Sequence, residues 1–256
     1  MRIVHALKKA ARRRRPGRPM PPALPPFIEE IRTRAAQGHV AEQVRWGDIL
    51  LDSIYVPPDP QQARTWYEIA ASANYAPAHN MLGRCHHFGW GGPLDLPAAA
   101  ASYRKAADLG DLWGCYNLGI MTMRGIGMPA DLRRALELFR SAAERGHAKS
   151  MNLVARFTEE GWHTERNPAE ALRWYRRSAE GGDYRGQHNY ATALLAMGER
   201  AQALDWWRRA VGDATSDVLL AMARTLHTLG PDGDPTLLKQ VHDRLDALGI
   251  PYPAPA

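Results

Sequence analysis

The side chains best suited to metal binding or nucleophilic chemistry lie close together in this chain. Cys85, His86 and His87 are consecutive, and His79 precedes His86 by two helical turns, which would place both imidazoles on one helical face. Thiolates and imidazoles are preferred ligands of zinc. Packing inside a helical protein is the alternative, and the surrounding sequence decides between the two.

Other motifs that would indicate chemistry are missing from the sequence. It has no phosphate-binding glycine loop followed by Lys-Ser or Lys-Thr, no nucleophile elbow, no H-E-x-x-H pair and no Cys/His set with zinc spacing. Its two cysteines, Cys85 and Cys115, are too few for a disulfide scaffold. We therefore expect a protein that is not an enzyme and that binds no cofactor and no metal.

A long repeat indicates which elements position these residues. Gly38, Asn74, Gly110, Gly146 and Gly182 follow one another at intervals of 36 residues, and we call them the frame residues. Glycine and asparagine most readily adopt the left-handed conformation that ends a helix. The spacing therefore predicts five helix ends in register.

Two helices fit into each repeat. Eight and nine residues after each frame residue, a large side chain precedes Gly or Ala, which lets a neighbouring helix approach and predicts a first helix, A. After a glycine-rich loop, Asp or Asn in register predicts the N-cap of a second helix, B, and Glu170 would complete a capping box. The large-small pairs are Trp46-Gly47, Leu82-Gly83, Leu118-Gly119, Val154-Ala155 and Tyr190-Ala191, and the N-caps are Asp59, Asp95, Asp131 and Asn167.

These patterns resemble Sel-1-like repeats, a subclass of the tetratricopeptide repeat superfamily with Leu-Gly in helix A, a G-x-G loop, and Trp-Tyr and Ala-Ala pairs in helix B. Trp66-Tyr67 and Ala70-Ala71 are examples, and the resemblance covers about residues 38–211. It implies an all-α fold, an α/α superhelical solenoid of about five to six helical hairpins that binds other proteins. The tyrosine usual twelve residues after the frame residue is replaced by Leu50, His86, Thr122 and Thr158, which we expect to loosen helix A packing.

The repeat pattern divides the chain into three parts. We expect residues 1–26 to be a disordered basic tail and Pro-rich linker, residues 27–229 the solenoid, and residues 230–256 a capping helix with a short Pro-rich tail. The net charge is +6, and the tail with eight Lys or Arg and no acid accounts for +8, which leaves −2 elsewhere. No run of about 18 apolar residues is present. We expect a cytoplasmic monomer, with peripheral membrane contact as an alternative.

The alignment of the repeats explains Cys85 and most of the tryptophans by packing. Cys85 aligns with the apolar Ile49 and Met121, which favours packing over metal binding. Seven of the eight tryptophans also fall on recurring positions and are explained by packing. Trp113 is the exception, because it lies three residues after its frame residue, where superhelical repeats of this superfamily face a concave groove.

A binding surface for a peptide or protein is predicted along that groove, at positions 3, 6, 10, 13 and 14 after each frame residue. Arg can bind a carboxylate through two hydrogen bonds, Asn can pair with a peptide backbone, and Trp or Tyr can anchor an apolar residue. The alternative is a solvated inner face with Trp113 packed against the next helix. The predicted groove residues are Asn80, Arg84, His87, Trp113, Tyr116, Arg124, Asn152, Arg156, Arg185 and His188.

The basic tail is a second candidate surface, with residues 1–18 able to contact a membrane or nucleic acid weakly. Its cluster follows a few apolar residues at helical spacing and could lie on an anionic membrane or bind nucleic acid electrostatically. A solvated tail is the alternative, and the lack of aromatic residues among the charges counts against base stacking. The cluster is formed by Lys8, Lys9, Arg12, Arg13, Arg14, Arg15 and Arg18.

Deletion of residues 1–18 separates these alternatives. Full-length and shortened chains are sedimented with anionic liposomes at low and high salt. If the tail docks on the membrane, only the full-length chain sediments, and it does so less at high salt, because screening weakens attraction between exposed charges. Equal sedimentation of both chains would contradict membrane docking.

Overall fold

The structure is a computed structural model that describes residues 23–252, so the predicted basic cluster lies outside the described residues. Within this range the chain forms thirteen α-helices and one short 3-10 turn, Gly230–Asp232, and no strand. The helices are Pro26–Ala36 (α1), Val40–Leu51 (α2), Pro60–Ser72 (α3), Ala76–Phe88 (α4), Leu96–Asp108 (α5), Leu112–Arg124 (α6), Leu132–Glu144 (α7), Ala148–Glu160 (α8), Pro168–Glu180 (α9), Tyr184–Ala196 (α10), Arg200–Ala210 (α11), Ser216–Leu229 (α12) and Pro235–Ala247 (α13).

The predicted helix ends are confirmed. All five frame residues have a positive φ, from 55° at Asn74 to 95° at Gly146. Each frame residue lies two residues before the first residue of a helix A. The all-α repeat of A and B helices predicted from the sequence is therefore present.

The predicted N-caps of helix B are also confirmed, but the capping box is wrong. Each predicted Asp or Asn side chain accepts a hydrogen bond of 2.9–3.0 Å from the backbone N–H three residues later. At Asn167 the backbone N–H donates to the carbonyl oxygen of Thr158 at 2.9 Å, so it does not need Glu170. The Glu170 carboxylate instead accepts a bond from Trp174 Nε1 at 3.3 Å.

This backbone bond recurs and ties each loop to the preceding helix A. The N–H groups of Asp59, Asp95 and Asp131 donate to the carbonyl oxygens of Leu50, His86 and Thr122 at 2.7–2.9 Å. The accepting carbonyls belong to the positions where the usual tyrosine is missing. Leu50, Thr122 and Thr158 are buried there, so the smaller side chains are accommodated inside the helical layer.

The large-small pair of helix A is explained by a tyrosine of helix B. The rings of Tyr67 and Tyr103 are buried and lie directly against Gly47 and Gly83. A Cβ atom added to Gly47 or Gly83 would come within 2.5 or 2.4 Å of the ring carbons. Any residue with a Cβ would therefore displace the ring.

Contacts divide the chain into two compact units, the first ending at Ala135 and the second beginning at Leu136. In the first unit the core includes Ile28, Ile49 and Tyr67. In the second, α13 covers the C-terminal end of the core, which includes Trp207 and Leu219. The proposed three-part division of the chain remains a prediction.

Replacing Gly83 by Ala should destabilise the first unit. Ala at a helical position normally stabilises by about 1 kcal/mol relative to Gly. Here the added methyl group collides with the Tyr103 ring, and overpacking of a core typically costs about 1–3 kcal/mol. We therefore expect a lower midpoint in urea unfolding. The matched control is Gly212→Ala, where no atom lies within 4 Å of the added Cβ, and equal stability of the two variants would contradict the packing argument.

Candidate functional site

In the first unit, the predicted groove residues lie on α4 and α6, which are neighbouring A helices. Seven residues make two helical turns and eleven make three, so positions 3, 10 and 14 form one stripe along each helix. Arg84 and Phe88 occupy this stripe on α4, and Trp113 and Arg124 occupy it on α6. Trp113 is 41% exposed and Phe88 is 55% exposed.

Trp113 is supported from within its own helix. The Tyr116 ring meets the indole edge to face, with 5.9 Å between ring centroids. Such aromatic pairs restrain both rings while leaving part of the surface in solvent. Trp113 is therefore a partly ordered, exposed apolar side chain, which is the type of residue that dominates many protein interfaces.

Asn80 has a different place from the one predicted. It is buried, and its Oδ1 atom accepts a 2.8 Å hydrogen bond from Asn117 Nδ2. The bond joins α4 to α6 at positions 6 and 7 of their repeats. Asn80 thus fixes the register of the two helices that carry the exposed stripe, and its carbonyl oxygen is already bonded.

Arg84 and His87 flank the exposed end of α4. The Arg84 guanidinium lies over the Trp90 ring, 4.7 Å from its centroid, and Nη1 contacts Met81 Sδ at 3.6 Å. The His87 ring stacks on Phe88 with 4.6 Å between centroids, and burial lowers the His87 pKa. Stacking on Trp90 leaves the planar guanidinium with donors for a carboxylate.

Phe88 was missed by the sequence prediction, although it lies at position 14. The same position supplied Arg124 in the next repeat, so the alignment contained the signal. An exposed aromatic side chain at a helix end carries no distinguishing sequence pattern. Only its exposure in the folded chain separates Phe88 from the aromatic residues that fill the core.

In the second unit, the amide pair and the Arg-Trp pair recur. Asn152 is buried, and its Oδ1 accepts a 2.8 Å bond from Asn189 Nδ2 between α8 and α10. Arg156 is exposed and lies 5.6 Å from the centroid of the Trp162 ring. Trp162 is 37% exposed, so packing accounts for only part of its surface, contrary to the expectation from the sequence.

Arg185 and His188 are engaged inside the second unit. Arg185 forms a 2.9 Å ion pair with Asp217 and lies over the Tyr184 ring. The His188 ring stacks on Trp207 at 6.1 Å, and its Nδ1 atom is buried without a hydrogen bond. Both residues connect α10 to neighbouring helices, which is a structural contribution.

In the cysteine and histidine cluster, Cys85 belongs to the core and the three histidines are half-buried. Cys85 is fully buried, and burial raises the pKa of its thiol to about 11, which disfavours the thiolate that metals bind. Burial also lowers the pKa of His79 and His86. Among residues 23–252, no three His, Cys, Asp or Glu side chains are grouped as a metal site would require. No helix in that range is long and apolar enough to cross a membrane.

Buried histidines should make the stability of the second unit depend on pH. Burial lowers the pKa of His147 and His188 to about 4, so between pH 6.5 and 4 the unfolded chain binds protons that the folded chain does not. Stability is therefore full above pH 6.5 and decreases as the pH falls towards 4, by on the order of 1–3 kcal/mol for each residue.

The variant His188→Gln removes one titrating group and should flatten this dependence in urea unfolding measured from pH 7 to pH 4. The unsubstituted chain, unfolded over the same pH range, provides the reference slope. An unaltered slope in His188→Gln would show that the His188 ring does not titrate as its burial implies.

Comparison with known protein families identifies the repeat. The family model described as Sel1 repeat matches residues 43–75, 76–111, 114–147 and 148–183, which together are more than half of the chain. These segments correspond to successive pairs of helices in the structure. Curated protein sequences give no significant match.

Solved structures with similar folds come from several bacteria. A Sel1 repeat protein from Oxalobacter formigenes is 23% identical, with a TM-score of 0.72 over 86% of this chain and 99% of that chain. The protective antigen c5321 of uropathogenic Escherichia coli, described as having an SLR fold, is 29% identical with a TM-score of 0.65; the match covers 87% of this chain and 49% of c5321. The immunity protein PA5088 from Pseudomonas aeruginosa is 17% identical, with a TM-score of 0.55 over 90% of this chain and 84% of that chain.

The comparisons agree with the fold and with the repeat found in the sequence. Sel1 repeat proteins are generally scaffolds for protein interaction, and their fold is typical of non-catalytic proteins. The helix pairs, the glycine contacts and the family match lead to one conclusion. This chain belongs to the Sel1 repeat family.

Proposed function

We propose that this protein is an interaction scaffold that binds a segment of a partner protein on the A-helix face of its first unit. The observation that carries the proposal is Trp113, a large apolar side chain that is 41% exposed and is braced by Tyr116. Large aromatic side chains with restricted motion contribute much of the binding energy at interfaces.

The surroundings of Trp113 support binding of a protein segment. Phe88 adds a second exposed aromatic side chain on the neighbouring helix, and Arg84 and Arg124 provide positive charge beside it. The Asn80–Asn117 bond holds the two helices in a fixed register. A rigid surface with apolar and cationic groups loses little entropy when a peptide binds.

The second unit presents a related but smaller feature. Arg156 lies over Trp162, as Arg84 lies over Trp90 in the first unit. The intervening repeat has Ile120 and Ile126 at the same two positions. Arg and Trp thus occur together or are replaced together, and we propose that Arg156 provides a separate contact for a carboxylate on the second unit.

A photoreactive side chain at position 113 tests this function in the source cells. The variant Trp113→p-benzoylphenylalanine is expected to crosslink a defined partner protein, identified by mass spectrometry. Ile69 is the matched control site, because it is 43% exposed and lies on helix B. The same photoreactive residue at position 69 should not capture that partner.

Charge reversal adds a second measurement to the same experiment. In the background of the photoreactive Trp113 variant, Arg84→Glu should reduce the yield of the crosslinked partner without lowering the thermal unfolding midpoint. Identical capture profiles from positions 113 and 69 would overturn the proposal. So would an unchanged yield after the Arg84 charge reversal.

A further inference from the structure

We infer that the partner segment is an extended chain with two large apolar side chains six positions apart, and with an acidic residue next to the one that contacts Phe88. This inference rests on the proposed function and specifies the chemistry of the ligand. It follows from the placement of Trp113, Phe88 and the two arginines on α4 and α6.

Trp113 and Phe88 lie on the same face of the two-helix layer. They occupy positions 3 and 14, which differ by eleven residues, so their directions around the helix axis differ by only about 20°. The helices α4 and α6 are equivalent A helices, and the Asn80–Asn117 bond places position 6 of one beside position 7 of the other. Both exposed rings are therefore presented to one ligand.

The register also sets the distance between the two rings. Because position 7 of α6 lies beside position 6 of α4, Trp113 is level with position 2 of α4 and twelve residues from Phe88 along the helix axis, or about 18 Å at a rise of 1.5 Å. Packed helices lie about 8–10 Å apart. The diagonal from Trp113 to Phe88 is thus about 20–21 Å.

An extended chain can meet this distance at one spacing. Residues i and i+6 of a strand are about 20 Å apart and have their side chains on the same side, because side chains alternate with a period of two. The spacing i to i+4 spans about 13 Å and i to i+8 about 26 Å, while i to i+5 places the side chains on opposite sides. Six positions is therefore the spacing that satisfies both rings.

The charges around Phe88 indicate where the acidic residue belongs. Arg84 lies one turn before Phe88 on α4, and the exposed Arg124 occupies position 14 on α6, at the same level as Phe88. Helices α4 and α6 contain no Asp or Glu. At the same level the preceding helix α2 ends in the exposed Asp52, on the side of α4 away from α6 and Arg124. Asp48 of α2 accepts a 2.9 Å hydrogen bond from Tyr67. A carboxylate beside the Phe88 end of the ligand would meet two guanidinium groups.

Fluorescein-labelled peptides of one composition test the spacing. The probe is a 10-residue Ser/Thr peptide that contains two Phe residues at i and i+6 and one Glu next to the second Phe. Fluorescence anisotropy with the full chain is expected to give at least tenfold tighter binding for this peptide than for versions with Phe at i+4, i+5 or i+8. A Glu→Gln version should bind about threefold to tenfold more weakly.

Variants of the protein assign each ligand residue to its site. Phe88→Ser and Trp113→Ser should each weaken binding of the i+6 peptide at least tenfold. Each should also reduce the difference in affinity between peptides of different spacing. Arg84→Gln should reduce the difference between Glu and Gln peptides, as a double-mutant cycle would show. The control is Ile69→Ser on helix B, which should bind like the wild type, and circular dichroism verifies that all variants are folded.

Equal affinity for all spacings, or no measurable binding of the i+6 peptide, would overturn the inference. Equal affinity of the Glu and Gln peptides would overturn the inference that the ligand carries an acidic residue. These outcomes are distinct from failure of the proposed function, because crosslinking at position 113 detects a cellular partner whatever its sequence. If a partner is captured at position 113 but the peptides show no preference for the i+6 spacing, the scaffold function is supported and the proposed ligand is contradicted.

Discussion

The ring of a helix B tyrosine against a glycine of helix A is the contact on which the other features of this protein depend. At Gly47 and Gly83 the ring carbons of Tyr67 and Tyr103 occupy the space that a Cβ would take. This brings the two helices of a repeat close enough to bury their small residues, including Ala63, which are fully enclosed. A single hairpin cannot bury its own apolar face, so each repeat must also pack against its neighbours.

The tyrosines also connect the core to polar groups on helix A. Tyr67 donates to Asp48 at 2.9 Å, and Tyr175 donates to Glu159 at 2.7 Å. Burial is the main cause that raises the pKa of both phenols, and the nearby carboxylates raise it further. The hydroxyls therefore remain protonated donors, and they hold carboxylates of helix A in fixed positions beside the core.

The candidate binding face is a consequence of the same geometry. Close packing through small residues lets A helices contact each other directly, and the Asn80–Asn117 and Asn152–Asn189 bonds lock their register within each unit. A stripe at positions 3, 10 and 14 is then presented at defined spacing. In the proposed function, this fixed register is what would let the exposed rings of Trp113 and Phe88 select a ligand by its spacing.

The sequence by itself determined the parts of this protein that depend on local conformation. The positive φ of the five frame residues, the N-caps of helix B and the order of the helices all follow from residue type and spacing, because helix ends are satisfied by nearby groups. The family resemblance rests on the same recurring positions, and it was confirmed. Trp113 was also separated from the other tryptophans by spacing alone.

Tertiary structure decided which of these side chains remain exposed and which are bonded. Asn80 was predicted on the groove surface but is buried against Asn117, and Phe88 was not predicted although more than half of it is exposed. The Glu170 capping box failed because a backbone bond from Asn167 to Thr158 had already used the donor. Periodicity gives the direction of a side chain around its helix, whereas its exposure and partners depend on neighbouring helices that are distant in sequence.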